Sequence, residues 1–401
     1  MRFIPSTKAL VAVITALVAI SSSSLVSSFS MDDEGYFPGG ADLDPLVPQH
    51  LKITNLLRTL DLSKPLVREI TSAALQNVAE QNVTDYYFPV DQVYTFNLAH
   101  ISAENRKTKE SLKVIKDTEF YDSEYQYYQI KLVEPLAPGE KIQITVKAVY
   151  TGMTRPFPTH ARQDEKQQFV YFGNPFALTA YPTTKQKTTV ITPNSVLEVF
   201  EHPPESTPEI KNNQVILGPY HDVKPLEHGI FEIQYQLSGP IYHVRHLLRD
   251  IEVSQWGDNL AVEEHYNLVN KGALLKGQFS RVDYQKNPAG IRDGNGILGL
   301  QTRLPKQAAE IYYRDEIGNI STSALVHQPK EVLLNLKPRF PIFGGWNTTF
   351  YIGYNVPLKN YLRQVANANN KYVLKVPFVV PMMETTYEDV LVRVVLPEGS
   401  K

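Results

Sequence analysis

The sequence contains no cysteine, so no disulfide can staple the fold and thiol chemistry is excluded. Packing alone has to hold it. Long apolar runs are scarce as well: the greasiest late window, Tyr372–Met383, is broken by Lys375, Pro377 and Pro381. Nothing beyond residue 20 approaches the ~18 apolar residues that a membrane-crossing helix needs. Charge of one sign is also lacking, since 40 Lys+Arg stand against 42 Asp+Glu for a formal net charge of −2. That balance offers no general hold on nucleic acid or an anionic surface. The spacings H-E-x-x-H, G-x-S-x-G and G-x-x-x-x-G-K-[ST] are absent, which removes the commonest local signatures of zinc hydrolases, serine hydrolases and phosphate loops.

What is present begins with a leader. Arg2 and Lys8 precede an apolar stretch, Ala9–Ile20, and a serine-rich stretch, Ser21–Ser30. This is the order of a cleavable secretory signal. Twelve helical residues reach only about 18 Å, short of the roughly 30 Å hydrocarbon core. The segment therefore targets and does not span. Cleavage is expected between Ser24 and Ser30, with residues 1–28 taken as the signal peptide. Loss of Arg2 and Lys8 takes the formal charge from −2 to −4. Residues 29–47 are acidic, contain Gly and Pro, and lack periodicity, which reads as a flexible leader.

Beyond it the dominant signal is alternation. Phe231, Ile233, Tyr235 and Leu237 fall on one face while Glu232, Gln234 and Gln236 fall on the other. That is a half-buried strand. The same reading fits Ile142–Tyr150, Tyr128–Leu132, Phe350–Val356 and Val390–Leu396. Leu66–Glu80 is ambiguous, because Val67, Ile70, Ala74 and Val78 also suit a helix. With 28 prolines and no long helical segments, the fold is predicted to be mainly β and antiparallel, sandwich-like. Some 370 processed residues exceed what one core usually serves. Two tandem domains are expected.

An internal echo places the boundary. Leu57–Ser63 (LRTLDLS) and Leu248–Ser254 (LRDIEVS) share Leu-Arg-x-apolar-acid-apolar-Ser, and each is followed by an acid-bearing apolar segment, Leu66–Ile70 and Leu260–Glu264. Read as a duplication, this gives one β domain over 48–237, a linker at Ser238-Gly239-Pro240, and a second over 241–401. The second copy is shorter, so its final strands are expected beyond Lys401.

Chemistry-bearing patterns are few. Asn82-Val83-Thr84, Asn319-Ile320-Ser321 and Asn347-Thr348-Thr349 are N-glycosylation sequons, meaningful behind a signal peptide. Asn319 ranks first because Asp315–Gly318 reads as a turn. Gly294–Gly299 matches G-x-G-x-x-G, but no strand precedes it and Pro305 interrupts the stretch where a helix should run. It reads instead as a surface loop with hairpin turns. His243 and His246, with Glu263, Glu264 and His265, contain metal-ligand residue types, yet period-2 geometry puts the first two on opposite faces of a strand. They read as solvent-facing polar residues. Lys337–Trp346 sets Phe340, Phe343 and Trp346 around Gly344-Gly345, as a partner surface or a core-capping corner. No catalytic residue, cofactor or metal is expected.

The longest strings carry a resemblance. Arg249–Gly257, Ala261–Glu264, Leu275–Gln285, Leu304-Pro305, Tyr312–Ser323, Pro338–Trp346 and Leu396–Gly399, with Lys166-Gln167 and Tyr181–Gln186 in the first half, resemble the ribophorin I family. This is the large single-pass subunit of the endoplasmic-reticulum oligosaccharyltransferase complex. The resemblance covers most of residues 48–401. It implies a pair of lumenal β-sandwich-like domains, then a transmembrane helix and a cytosolic helical domain that this chain lacks, with Asn319 at the family's glycan site. It also implies a non-catalytic scaffold whose partners are the catalytic and accessory subunits and nascent polypeptides, anchored through the missing helix. A secreted β-sandwich binding module and a hydrolase with an unrecognised site are the rival readings.

Overall fold

The structure, a computed structural model, describes residues 45–400 apart from 122–123, 195, 204–206, 255, 287–293, 367–370, 381 and 383. The expected signal peptide and nearly all of the leader lie outside the described residues. Val47, at the leader's end, is buried in the first core.

The chain is mainly β. Its largest sheet has ten strands, in the spatial order Glu209–Lys211, Gln214–Val223, Thr183–Ile191, Leu51–Asp61, Val67–Asn77, Lys141–Tyr150, Leu98–Asn105, Ser111–Tyr121, Tyr125–Leu136, Val83–Asp91. A four-stranded sheet, Val196–Glu201, Phe231–Gln236, Gln168–Gly173 and Thr154–Pro156, completes the first lobe. The second lobe is built on six strands, Gly318–Asn319, Ala309–Asp315, Asn347–Pro357, Asn259–Asn270, Tyr242–Ser254 and Thr385–Val395, with a three-stranded sheet, Leu300–Pro305, Glu331–Leu336 and Ala324–His327.

Two hydrophobic cores match this division, one drawn from Val47 to Leu237 and one from Val244 to Met382. Leu51, Ile53, Leu56 and Leu60 are essentially inaccessible, each such side chain contributing about 1.5–3 kcal/mol. The ambiguous segment is the strand Val67–Asn77, burying Val67, Glu69, Thr71, Ala73, Leu75 and Asn77 in strict alternation. Three of those six are polar, which hides the period of 2. Ile70 and Val78, half of the helical face, are exposed.

The sheets are not purely antiparallel. Leu51–Asp61 runs parallel to Thr183–Ile191, and Tyr242–Ser254 runs parallel to Thr385–Val395. A parallel pair needs a crossover. Here strands of the same sheet and of neighbouring sheets make up most of each connection, the second of which also contains the short helix Arg281–Lys286.

These two pairs belong to one recurring pattern. Counted in chain order, five strands of each lobe assemble identically: the first pairs antiparallel with the second, the second with the fourth and the fourth with the third, while the fifth lies parallel on the first strand's other side. Leu51 opposes Asn77 as Tyr242 opposes Asn270, and a bulge falls between Ile53 and Asn55 as another falls between Val244 and His246.

Candidate functional site

Arg58 and Arg249 occupy matching places in the recurring strands, and both are buried. The Arg58 Nε donates to Glu69 Oε1 at 2.7 Å, while its Nη1 donates to the carbonyls of Asn174 and Phe176 at 2.6 and 3.0 Å. Arg249 donates to Glu264 Oε1 and reaches the Tyr354 hydroxyl at 3.4 Å, and the Tyr266 hydroxyl donates to Glu264 Oε2 at 2.7 Å. The neighbouring carboxylates hold both guanidiniums charged against the cost of burial. Such pairs fix geometry.

The histidines are distributed by the second bulge. Because the register skips Arg245, Val244 and Leu247 are both buried while His243 and His246 both lie outside them. The expectation of opposite faces fails for that reason. His243 bonds Glu388 at 2.8 Å and Thr386 at 2.9 Å, and His246 bonds Asp389 at 2.7 Å. These contacts clasp Tyr242–Ser254 to Thr385–Val395. His265 bonds Glu263 at 2.7 Å on the outer face, whereas Glu264 turns inward to Arg249. Among the described residues no three His, Cys, Asp or Glu side chains are grouped to hold a metal. Burial pushes the His243 imidazole below its ordinary range, only partly offset by Glu388.

The two lobes meet where several of the family-like strings converge. Buried Gln167 donates to the Gly239 carbonyl and accepts from the Ala273 N–H at 3.0 Å, tying down the linker and the second lobe together. Leu274-Leu275 pairs in parallel with His160-Ala161, and Gln163 exchanges two hydrogen bonds with the Ser280 backbone. Asn270, fully buried, accepts from the N–H groups of Ile241 and Gly272 and donates to the carbonyls of Asn295 and Ile342. Neither Gln167 nor Asn270 stands out in the sequence as a structural hub. Only Asn270's place at a strand end hints at a cap.

The aromatic motif lands on this junction. Phe343 is buried, its ring 5.6 Å from those of Phe279 and Trp346, while Phe340 is half exposed and Trp346 partly buried. Phe343 therefore supports a surface and does not form one. A Cβ on Gly344 would stand 1.8 Å from the Ala273 carbonyl oxygen, and one on Gly296 would stand 3.1 Å from the Phe343 ring. That close approach accounts for Gly296, and a Cβ on Gly299 would stand 3.3 Å from the Leu336 carbonyl oxygen. The segment is not a surface loop: Asn295 and Ile297 are fully buried, and Ile297 bridges to Ile342.

Asn82, Asn319 and Asn347 all present exposed side chains. Asn82 borders an open cleft of about 440 Å³ lined by His50, Asp85, Tyr87 and Tyr181. Asn319 follows a tight turn in which Asp315 accepts from the Ile317 and Gly318 N–H groups at 3.0 Å. Asn347 opens a long strand.

Residues 51–401 match the family model described as Ribophorin I. The chain belongs to the ribophorin I family. It is 35% identical over 365 residues to dolichyl-diphosphooligosaccharide–protein glycosyltransferase subunit 1B of Arabidopsis thaliana, covering 88% of this chain and 76% of that protein. It is 34% identical over 355 residues to subunit 1 of Caenorhabditis elegans, covering 87% of this chain and 58% of that one. Among solved structures, native leukotriene A4 hydrolase from Saccharomyces cerevisiae aligns at a TM-score of 0.30 and 9% identity, over 50% of this chain and 31% of its own. For a ribophorin I chain the recurring arginine pairs and the Asn270 hub are architectural. They set the shape that any partner meets.

Proposed function

We propose that this chain acts in the lumen as a non-catalytic subunit of the oligosaccharyltransferase complex of the endoplasmic reticulum, which transfers dolichol-linked oligosaccharide to Asn of N-x-S/T sequons in nascent proteins. Its two tandem β domains, 48–237 and 241–401, scaffold the catalytic and accessory subunits and contact nascent chains. The 35% identity over 365 residues to a protein named subunit 1B of that glycosyltransferase carries this reading. The matching strand order of the two lobes supports their descent from one duplicated unit. Titratable side chains engaged in structural pairs support a scaffolding role. Glycans are placed on Asn319, Asn347 and Asn82, and the half-exposed Phe340 beside Trp346 offers a partner contact.

Co-purification tests the assignment. The native protein, extracted in mild detergent, is expected to bring down activity that transfers lipid-linked oligosaccharide to a sequon peptide. Recovery of the protein free of that activity, or from the medium instead of the endoplasmic reticulum, overturns it.

A further inference from the structure

The near-neutral composition conceals one strongly biased segment. Between Pro357 and Met383 there is no Asp or Glu, while Lys359, Arg363, Lys371 and Lys375 supply four cations. All four are exposed, and among the described residues none forms an ion pair. Leu362–Gln364 and Tyr372–Leu374 form a two-stranded hairpin here, with Leu362 and Leu374 packed onto the second core. That anchors one side and turns the Arg363–Val373 pair outward. On the outward side Val373 is 55% exposed and Phe378 further along is 67% exposed, while Tyr372, on the Leu374 side by alternation, is 54% exposed.

We infer that this hairpin face rests on a bilayer, with its cations against phosphate-bearing lipid headgroups and its apolar side chains in the headgroup–acyl boundary. Isolated exposed apolar residues need no explanation, but Val373 and Phe378 exposed in one short acid-free segment with four unpaired cations match the composition of an interfacial contact. Aromatic rings favour that depth, and Lys and Arg stems reach from it to phosphates. An acidic protein surface would satisfy the cations alone. It would give Phe378 and Val373 no reason to stand in water.

Vesicle flotation decides between them. The chain, expressed in eukaryotic cells and purified from them without its signal peptide, is mixed with phosphatidylcholine vesicles with or without phosphatidylserine, at low and at high salt. It is expected to float with the anionic vesicles and to be partly released by salt. Lys371→Glu/Lys375→Glu and Val373→Ser/Phe378→Ser each lower partitioning by about tenfold or more. Lys113→Glu/Lys116→Glu, the same charge change on exposed residues of the first lobe, leaves it unchanged. All variants carry one N-terminus, so their differences read the hairpin. Far-UV circular dichroism confirms that each is folded. No flotation with anionic vesicles, hairpin variants that float like the parent, or equal loss from the first-lobe control each overturns the inference.

Discussion

Arg58 and Arg249 stand at the same point of two sheets with the same strand order, yet their carboxylates do not. Arg249 directly opposes Glu264 across the antiparallel pair, whereas Arg58 opposes Thr71 and finds its acid at Glu69, two residues along. Two residues is one step on the same face of a strand, so the acid can move without leaving the core side. The surroundings changed with it. In the first lobe Arg58 also binds main-chain carbonyls and Thr71 donates to Glu69 at 3.3 Å, while in the second lobe tyrosine hydroxyls join the network and the Arg249 Nε finds no partner among the described residues. The position of the charge is common to both lobes. The means of satisfying it is local.

The sharpest way to break the comparison is to remove each arginine. Arg58→Met and Arg249→Met should each cost about 3–5 kcal/mol, because each leaves a buried carboxylate without its cation. Arg58→Met should fall at the upper end, since two carbonyls also lose their donor. Arg249→Met/Glu264→Leu should recover most of the loss. Denaturation resolves the lobes: both tryptophans, Trp256 and Trp346, lie in the second, so fluorescence reports it while circular dichroism reports both. Equal, small effects from the single variants would mean that the pairs are not desolvated as described.

Next come the strand-end asparagines. Asn77 holds the Ala79 N–H and the carbonyls of Gln81 and Leu136, each at 2.8 Å, as Asn270 holds four backbone groups of the second lobe. Asn270→Ala should cost about 3 kcal/mol and Asn77→Ala about 2 kcal/mol, following the number of backbone groups orphaned. A reversed order in urea titrations would show that water replaces Asn270 more readily than its burial implies. Smaller still are the hydroxyls. Tyr266→Phe removes a donor to a buried carboxylate and should cost about 1.5–2 kcal/mol, whereas Thr71→Val, with its longer bond, should cost about 0.5–1 kcal/mol.

Much of this is legible in the residues. Alternation marks the strands, and the LRTLDLS–LRDIEVS echo locates the matching arginines without any knowledge of contacts. What stays hidden has a common cause, namely polar side chains on the core face. Glu69, Thr71 and Asn77 blur the period of one strand, and the bulge at Arg245 resets the faces of His243 and His246 with no Gly or Pro to announce it. Gly294–Gly299 misleads in the opposite sense. Glycines that permit close packing against Phe343 and glycines that form exposed turns look alike until the third dimension is known. Pairing across long separations, as between Gln167 and Ala273, has no local signature.

The smallest expected effect concerns protons. Burial holds His243 below the ordinary histidine value in the second lobe, and burial against Tyr125 does the same to His228 in the first. Below that ordinary value, about 6.5, the unfolded chain binds protons that the folded chain resists. Each histidine therefore contributes stability that is present above about pH 6.5 and is lost as the pH falls through the lowered folded value. The loss per lobe should stay below about 1 kcal/mol. His243→Gln should remove the slope between pH 7 and 5.5 seen by fluorescence and leave His228's share, visible only by circular dichroism. Because Glu388 is held below the ordinary carboxylate range chiefly by its bond from His243, the same substitution should also make the clasp between the first and last strands of the second lobe less sensitive to acid. A fluorescence transition that keeps its full pH slope in His243→Gln would place the titrating group elsewhere.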